Sequence, residues 1–262
     1  MNIPKIIHYI WIGNNPKPEI VQKCIASWAK YMPDYVIREW NEANYDVNKC
    51  RYIREAYAEK KWAFVSDYMR FDILNEYGGI YFDTDVELLK PIPDAILDST
   101  QGFTAIESTG KVNPGLVFAA VPKHPFIKEI LDLYNSERFI VNGKNNLTTV
   151  NQRASAILSR YGYSQKNEFQ KAFDLEIYPS NFFCGYDVDI HEYMITPETI
   201  SVHHYAGSWE SPRQRMSRAV KDLVKHMVGL EKYKSLLVLK RKLFGVTGEH
   251  SSKAWRTQKK DR

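Results

Sequence analysis

Cysteine is scarce in this sequence of 262 residues, and long apolar runs are lacking. The only cysteines are Cys24, Cys50 and Cys184, an odd number without metal-ligand spacing, which argues against a disulfide framework and predicts reduced thiols. No segment approaches the roughly 20 apolar residues that cross a bilayer. The first residues, MNIPKIIHYIWIG, have too short an apolar run for a signal peptide and no small-residue cleavage site after it. Together these absences predict a cytoplasmic protein.

Acidic residues are scarce in the last fifty positions. Residues 213–262 contain 15 Lys and Arg against 4 Asp and Glu, a formal charge of +11, whereas residues 1–212 carry 21 against 27, a charge of −6. We therefore predict a body over 1–212 and a basic tail over 213–262, whose charge favours a negatively charged partner. Apolar residues recur at helical spacing among the basic residues of the tail: Met216, Val220, Leu223 and Met227. Such a helix either lies on an anionic membrane or packs its apolar stripe on the body.

Strand-like and helix-like segments alternate along the body, which predicts an α/β fold with parallel strands. The first strand lies in KIIHYIWIG, the first helix in PEIVQKCIASWAKYM and the second strand in YVIREW. Lys61 to Tyr77 form a predicted helix that ends where Gly78 or Gly79 can adopt a left-handed conformation. The later segments are predicted as two strands (GFTAIE, PGLVFAAVPKHP), two helices (PFIKEILDLYN, LTTVNQRASAILSRYG) and two late strands (FDLEIYPSNFFCG, TISVHHYAGSW).

The segment GGIYFDTDVE places two carboxylates, Asp83 and Asp85, at the end of a strand-forming run. Like charges this close repel, so a cation or a proton is expected between them. Three interpretations are open. The pair can hold Mg²⁺ or Mn²⁺ that binds a nucleotide diphosphate, since hard cations prefer oxygen ligands. It can instead belong to a phosphohydrolase, although Glu87 stands where that motif has Thr or Val, or it can be a solvated loop pair.

Asp67 and Arg70 are three residues apart in the predicted helix and therefore lie on one face of it. Alone, such a pair is most simply a surface ion pair worth less than about 1 kcal/mol. The sequence around the pair favours a different interpretation, because it carries a longer family signature.

The stretch SDYMRFDILNEYGGIYFDTDVELLKP resembles the signature of glycosyltransferases of family 32, which have an Asp-x-Asp sugar-binding region. The resemblance continues, in the family's order, in IPKIIHYIWIG near the start and in SVHHYAGSW near residue 210. The family includes yeast initiating mannosyltransferases and bacterial capsular polysaccharide enzymes, and the large clostridial glucosylating toxins are more distant relatives. The resemblance implies a GT-A-type fold, a single α/β domain with a nucleotide-binding N-terminal half and an acceptor-facing C-terminal half.

The resemblance implies catalytic roles for the four acidic and basic residues already described. Asp85 binds the metal, while Asp83 contacts the ribose or sugar of the donor and supports the metal shell. Asp67 and Arg70 contact the hydroxyls of the transferred sugar, a task that suits the forked guanidinium of arginine.

The same resemblance implies further binding residues. Trp11 packs against the nucleotide base, or is simply a core residue of the first strand, and Ser66 faces the nucleotide. His203 or its neighbour His204 completes the metal site. Adjacent residues of a strand face opposite ways, and His203, which follows an aliphatic residue, is the preferred ligand.

Polar residues of three later segments match the family less specifically. Ser208 and Trp209 match a Ser-Trp pair whose hydroxyl and indole N–H can donate to diphosphate oxygens. Asn113 or Gly115 matches the acceptor edge of the sugar, although Asn-Pro-Gly is also an ordinary turn. Asn151, with the glutamine that follows it, matches a polar pair near the donor sugar.

The resemblance implies a retaining hexosyltransferase that acts by front-face substitution. The predicted donor is a UDP-linked hexose, the predicted acceptor is a glycan or lipid-linked glycan, and the predicted process is capsular or cell-surface polysaccharide synthesis. A histidine ligand favours Mn²⁺ over Mg²⁺. We expect no nucleic-acid partner and a peripheral contact of the tail with the inner face of the cytoplasmic membrane. The alternatives are a non-catalytic sugar- or lipid-binding scaffold and, third, the Asp-x-Asp phosphohydrolase.

Overall fold

A computed structural model of the protein describes residues 2–98, 100–207 and 212–244. The helices in these ranges are α1 Glu19–Tyr31, α2 Arg51–Ala58, α3 Trp62–Tyr77, α4 Asp94–Leu97, α5 Pro125–Ser136, α6 Val150–Ser159, α7 Ser180–Phe183, α8 Pro212–Val228 and α9 Leu230–Phe244. The strands are β1 Ile6–Ile10, β2 Val36–Trp40, β3 Gly79–Tyr81, β4 Val86–Leu88, β5 Gly102–Ala105, β6 Phe118–Ala120, β7 Ile140–Val141, β8 Lys144–Asn145, β9 Gln170–Ala172, β10 Leu175–Tyr178, β11 Tyr186–Asp187, β12 Glu192–Tyr193 and β13 Ser201–His203.

Seven strands form one mixed sheet in the order β2-β1-β3-β6-β5-β10-β9. Strands β1, β2, β3, β5 and β10 run in one direction, and β6 and β9 run against them. The α/β class and the parallel β1–α1–β2 unit predicted from the sequence are confirmed. Because most strands are parallel, their carboxyl ends meet along one edge of the sheet, where sites in α/β proteins form.

Alternating residues of the central strands pack into two separate cores, one on each face of the sheet. One core joins the sheet to α2, α3, α5 and α6, and the other joins it to α1, α4 and α7. In β3 and the residue after it, Ile80 and Phe82 belong to the second core, whereas Tyr81 belongs to the first. The sheet is therefore covered on both faces, and its carboxyl edge is the place left for a site.

Two glycines allow the buried helix α3 to turn directly into β3. Gly78 and Gly79 have φ angles of +61° and +102°, which favour glycine. A Cβ at Gly79 would lie 2.6 Å from the carbonyl oxygen of Ile6, so the two backbones approach as closely as they do because no side chain intervenes. Because the connection between α3 and β3 is tight, the Asp-x-Asp segment that follows β3 lies close to α3.

The structure differs from the sequence expectations at several elements, including α2, α7 and β13. Helix α2 was not predicted, and it packs Tyr52, Ile53 and Ala56 into the core. The apolar SNFF segment forms the short helix α7 instead of continuing a strand. Strand β13 lies outside the seven-stranded sheet and pairs with β4 instead. In each case contacts with segments distant in sequence decide the local structure.

The end of the described chain forms two helices, α8 and α9. Helix α8 contacts the body through its polar face, where Asp222 Oδ1 lies 2.7 Å from His191 Nδ1 and Lys225 Nζ lies 2.8 Å from Glu192 Oε1. The apolar residues spaced along the other face are exposed: Met216 66%, Val220 54%, Leu223 58% and Met227 75%. Among the described residues, no helix is both long and apolar enough to span a bilayer.

Candidate active site

The Asp-x-Asp pair lies at the carboxyl edge of the sheet, directly after β3. The backbone N–H of Asp83 donates to the carbonyl oxygen of Gly115 (2.9 Å), and that of Val86 donates to the carbonyl oxygen of Asp83 (3.1 Å). The resulting turn leads into β4, whose antiparallel partner β13 places His203 opposite Val86. This pairing brings one ligand atom each from Asp83, Asp85 and His203 within 4.8 Å of one another.

The two adjacent histidines of β13 face different surroundings. His203 Nε2 is buried, 3.2 Å from Asp85 Oδ1 and 3.8 Å from Asp83 Oδ2, yet it has no hydrogen bond of acceptable geometry. His204 instead places Nε2 2.8 Å from Glu87 Oε2 and Nδ1 2.8 Å from the Tyr193 hydroxyl. Of this pair, only His203 is therefore placed to share a cation with the aspartates.

Three charged groups shift the protonation equilibria of the cluster. Removal from water would raise the pKa of Asp83, but several interactions, of which the positive charge of Arg70 is the largest, together outweigh it and hold that pKa well below its usual range. Burial opposes protonation of His203, but the charges of Asp85 and Asp83 outweigh it and raise the pKa of His203 to about 10. The pair of carboxylates thus attracts a positive charge to the position between them.

Arg70 connects the Asp-x-Asp pair to helix α3. Its Nη2 donates to Asp67 Oδ1 (2.8 Å), and its Nη1 lies 3.4 Å from Asp83 Oδ1. The guanidinium is 3% exposed and stacks 4.7 Å from the ring centroid of Tyr81. Its Nη1 has no hydrogen-bond partner of acceptable geometry, so this buried donor is available to a ligand oxygen. The Asp67–Arg70 pair is therefore buried at the site and is not a surface ion pair.

Burial gives Asp67 a different protonation behaviour from Asp83 and Asp85. Removal from water raises its pKa to about 6, although the adjacent charge of Arg70 opposes the shift. A backbone hydrogen bond from Val150, at the start of α6, also holds the carboxylate. Asp67 is thus fixed between two helices at the edge of the candidate site.

Two residues hold Asp83 in place: Tyr81, which the sequence analysis did not assign to the site, and Gly115, which it matched to the acceptor edge of the sugar. The hydroxyl of Tyr81 donates to Asp83 Oδ1 (2.9 Å). Gly115 lies so close that a Cβ there would be 1.9 Å from Asp83 Oδ2. The signal for Tyr81 was its spacing of two from Asp83, which places both on one side of the strand. No local signal distinguishes Gly115 from a turn glycine.

Of the four remaining predicted binding residues, the structure describes Trp11 and Ser66. Trp11 follows β1, the strand beside β3, and its indole N–H donates to the carbonyl oxygen of Asn15 (2.7 Å). Ser66 donates to the carbonyl oxygen of Ala63 (2.9 Å), and its hydroxyl lies 3.3 Å from Arg70 Nη2. Ser208 and Trp209 fall outside the described residues.

The donor set fits a hard divalent cation. Two carboxylates and an imidazole nitrogen converge, and oxygen ligands with one histidine suit Mn²⁺ or Mg²⁺ better than a soft metal. The buried Nε2 of His203, which has no hydrogen-bond partner, is the group that a cation would satisfy.

Comparison with known proteins assigns the segment that contains most of these residues. Residues 18–103 match the family described as the glycosyltransferase sugar-binding region containing the DXD motif. The chain is similar to that family over this segment. The sugar-binding region includes Ser66, Asp67, Arg70, Asp83 and Asp85, whereas His203 comes from a part of the chain beyond it.

Curated relatives are similar over parts of the chain. The human alpha-1,4-N-acetylglucosaminyltransferase is 37% identical over 78 residues, which is 29% of this chain and 21% of the relative. The inositol phosphoceramide mannosyltransferase 1 of Schizosaccharomyces pombe is 30% identical over 146 residues, 52% of this chain and 44% of the relative. The chain thus spans less than half the length of either of these relatives.

A solved structure resembles the fold at low identity. The PaToxG glycosyltransferase superposes with a TM-score of 0.48 and 20% sequence identity, over 61% of this chain and 70% of its own.

Proposed function

We propose that this chain is a metal-dependent retaining glycosyltransferase of GT-A type, which moves a hexose from a UDP-sugar to a glycan hydroxyl. The observation that carries the proposal is the convergence of Asp83, Asp85 and His203 at the carboxyl edge of the sheet. Both aspartates lie in the segment that matches the sugar-binding-region family. The intact cluster favours transfer over a non-catalytic scaffold, which has no need of three convergent metal ligands. Glu87, in the position that the phosphohydrolase motif fills with Thr or Val, is paired with Lys23 and His204.

Asp85 and His203 would hold the cation, which we propose to be Mn²⁺, and Asp83 would support it. When bound, such an ion neutralises charge on a departing diphosphate as a Lewis acid. Tyr81 and Gly115 fix Asp83, and the backbone N–H of Ala206 donates to Asp85 Oδ2 (2.9 Å). The two carboxylates are therefore oriented before any ligand arrives, which lowers the reorganisation cost of binding.

Asp67 and Arg70 would position the transferred sugar. The free donor on Arg70 Nη1 is buried beside Asp83, where it can donate to a sugar hydroxyl or a phosphate oxygen. Asp67, held by Arg70 and the start of α6, can accept from a second hydroxyl. Two fixed contacts would orient the sugar so that the acceptor hydroxyl approaches on the face from which the diphosphate departs.

The nucleotide would lie between the Asp-x-Asp pair and the carboxyl end of β1. Trp11 follows that strand and offers an aromatic face for the base, and Ser66 offers a hydroxyl beside Arg70. We further propose that Ser208 and Trp209 donate to the diphosphate, an assignment that rests on the sequence resemblance.

We propose a lipid-linked glycan as acceptor, in bacterial capsular or cell-surface polysaccharide synthesis, and a peripheral cytoplasmic location at an anionic membrane. The acceptor and the process rest on the sequence resemblance. The membrane contact is supported by the apolar stripe of α8, which is exposed because its polar face, with Asp222 and Lys225, contacts the body. Residues 213–262 carry a formal charge of +11, which is attracted to anionic headgroups.

A donor-hydrolysis screen tests the proposed activity. The purified chain is incubated with a panel of UDP- and GDP-sugars, with Mn²⁺, with Mg²⁺ and with chelator, and released nucleotide is measured. We expect Mn²⁺-dependent release from one UDP-hexose. Metal-dependent release of inorganic phosphate from a phosphate monoester, assayed in parallel, would instead support a phosphohydrolase, and cooperative binding of UDP and Mn²⁺ without any turnover would support a scaffold.

A further inference from the structure

A buried carboxylate that the proposed mechanism leaves unused lies beside the candidate site. Glu107 follows β5 at the carboxyl edge of the sheet and is 9% exposed. It begins a tight hairpin, in which its backbone N–H donates to the carbonyl oxygen of Lys111 and its own carbonyl oxygen accepts from Gly110, both at 2.9 Å. The hairpin fixes the backbone from which the Glu107 side chain extends.

The carboxylate of Glu107 joins two asparagines from separate segments. Its Oε2 accepts from Asn113 Nδ2 (3.3 Å) and from Asn151 Nδ2 (3.1 Å), and its Oε1 accepts from the hydroxyl of Thr109 (2.5 Å). A side-chain amide held through its NH₂ group has its oxygen turned the other way. Glu107 therefore sets the orientation of both amides.

Through Asn113, this network reaches the metal-side carboxylate. Asn113 Oδ1 accepts from the backbone N–H of Gly115 (2.9 Å). The carbonyl oxygen of Gly115 in turn accepts from the backbone N–H of Asp83 (2.9 Å), and the missing Cβ of Gly115 leaves room for the Asp83 carboxylate. A change in the Asn113 amide is thus transmitted to Asp83 through two hydrogen bonds.

Through Asn151, the network reaches the sugar-side carboxylate. Asn151 lies in the first turn of α6, immediately after Val150, whose backbone N–H donates to Asp67. The Thr149 capping box fixes the start of this helix, with the backbone N–H of Gln152 donating to the Thr149 hydroxyl (3.3 Å). Tethering Asn151 to Glu107 thus fixes the start of α6 relative to the hairpin.

We propose that Glu107 is a positioning residue that holds Asp83 and Asp67 at a fixed separation through Asn113 and Asn151. The effect of Glu107 on catalysis rests on the proposed transferase function. The tether that Glu107 makes between the segments of Asn113 and Asn151 does not depend on that function. Because the carboxylate already accepts three hydrogen bonds, most of its lone pairs are engaged and it is poorly suited to attack a sugar carbon as a nucleophile.

Two substitutions separate positioning from direct chemistry. In Glu107→Gln, the amide oxygen can accept from both asparagines while its NH₂ group donates to the Thr109 hydroxyl, so the tether is kept. In Glu107→Leu, the volume is similar but both asparagine NH₂ groups lose the Glu107 carboxylate as an acceptor. Glu176→Leu is the matched control, because Glu176 is a buried glutamate of β10 paired with Tyr178 and Lys171.

Amide hydrogen exchange tests the tether without any assumption about activity. We expect Glu107→Leu to raise exchange in two separate segments, residues 113–116 and 149–152, whereas Glu107→Gln and Glu176→Leu leave both segments like wild type. Unchanged exchange in both segments of Glu107→Leu, in a folded protein, would overturn the proposal. The exchange result is independent of activity. If the wild-type chain releases nucleotide from no sugar donor, that finding counts against the proposed function and not against the tether.

Donor hydrolysis tests the positioning role. We expect Glu107→Leu to lower kcat by roughly 100-fold with UDP affinity changed less than about threefold, and Glu107→Gln to stay within about tenfold of wild type. Loss of activity in Glu107→Gln equal to that in Glu107→Leu would contradict positioning and assign the carboxylate a direct chemical role. A similar loss in Glu176→Leu would show that both effects come from general destabilisation.

Discussion

Gly115 and Asp83 are packed so closely that no side chain fits between them. A Cβ at Gly115 would lie 1.9 Å from Asp83 Oδ2 and 2.7 Å from its Cγ, inside any permitted contact distance. The same glycine accepts the backbone N–H of Asp83 at 2.9 Å. An asparagine-proline-glycine turn thus determines where the first carboxylate of the Asp-x-Asp pair lies.

Gly115→Ala should therefore displace the Asp83 carboxylate. Because Asp83 supports the proposed metal without being its main ligand, we expect Mn²⁺ affinity in the presence of UDP to fall by about 10- to 100-fold. Isothermal titration calorimetry gives the affinity. Gly162→Ala is the control: its Cβ would meet nothing, but its φ of +92° should cost about 1 kcal/mol of unfolding free energy. Equal metal affinity in the two variants would remove Gly115 from the site.

Asp85→Asn should abolish metal-dependent nucleotide binding and turnover while the fold is kept. The side chain keeps its shape but loses the charge that attracts a cation. Turnover, UDP–Mn²⁺ binding and thermal unfolding are measured together. Glu87→Gln is the matched control, since that nearby carboxylate is paired with Lys23 and His204 and does not face the cluster. An active Asp85→Asn enzyme would refute the metal assignment.

Asp67→Asn should lower turnover far more than UDP affinity, because its proposed partner is the sugar. Loss of one fixed contact to a reacting group typically costs about 100-fold in rate. Arg70→Ala is expected to lower turnover as well. It should also destabilise the fold, since the buried carboxylate of Asp67 and the partly buried carboxylate of Asp83 both lose a cation. Steady-state kinetics and UDP titration separate the two effects, and equal losses in kcat and UDP affinity for Asp67→Asn would assign this residue to the nucleotide instead.

The elements that carry the Asp-x-Asp pair could be predicted from sequence because their signals are local. Helix α3 has apolar spacing, Gly78 and Gly79 have the required positive φ, and Asp83 follows a strand-forming run. The pairing of β13 with β4 has no such signal, since it joins segments more than one hundred residues apart. This pairing nonetheless decides which of His203 and His204 faces the aspartates. The Glu107 tether was missed because its contact with Asn151 joins two segments, 44 residues apart, that carry no shared local signal.

His8 should make the protein less stable as the pH falls. Its Nδ1 accepts from the indole N–H of Trp40 (3.1 Å) and its Nε2 lies 2.8 Å from the carbonyl oxygen of Gly78, so the buried ring is neutral, with its proton on Nε2. Burial lowers its pKa from 6.5 to about 4. The unfolded chain therefore binds a proton between about pH 4 and 6.5 that the folded protein does not, and stability rises with pH across that window.

The shift of His8 corresponds to about 3 kcal/mol of unfolding free energy between the two ends of that window. Urea unfolding at about pH 4.5 and about pH 7.5 measures most of this difference. His8→Gln removes the titrating group, so its stability should change less between the two pH values than that of wild type. His124 has a pKa lowered in the same direction, but it is present in both proteins and cancels. Parallel pH profiles for the two proteins would contradict the neutral His8.

The exposed stripe of α8 should carry the proposed membrane contact. Leu223→Glu with Met227→Glu places two negative charges on side chains that are 58% and 75% exposed, so the fold should tolerate them. Binding of the full chain to anionic liposomes should weaken by at least about tenfold, because apolar contact is lost and each added charge is repelled by roughly 1 kcal/mol. Co-sedimentation measures the bound fraction in low and in high salt.

The matched control for the stripe is Val36→Glu with Leu147→Glu, which makes the same chemical change at two residues of the body that are 64% and 62% exposed. If net charge alone governs binding, liposome binding decreases equally in both double variants. If α8 makes the membrane contact, liposome binding decreases only in the variant of Leu223 and Met227. Wild-type protein that fails to pellet with anionic liposomes in low salt would rule out the membrane proposal. A concentration-dependent dimer that the Leu223 and Met227 variant abolishes would instead assign the stripe to a second copy of the chain.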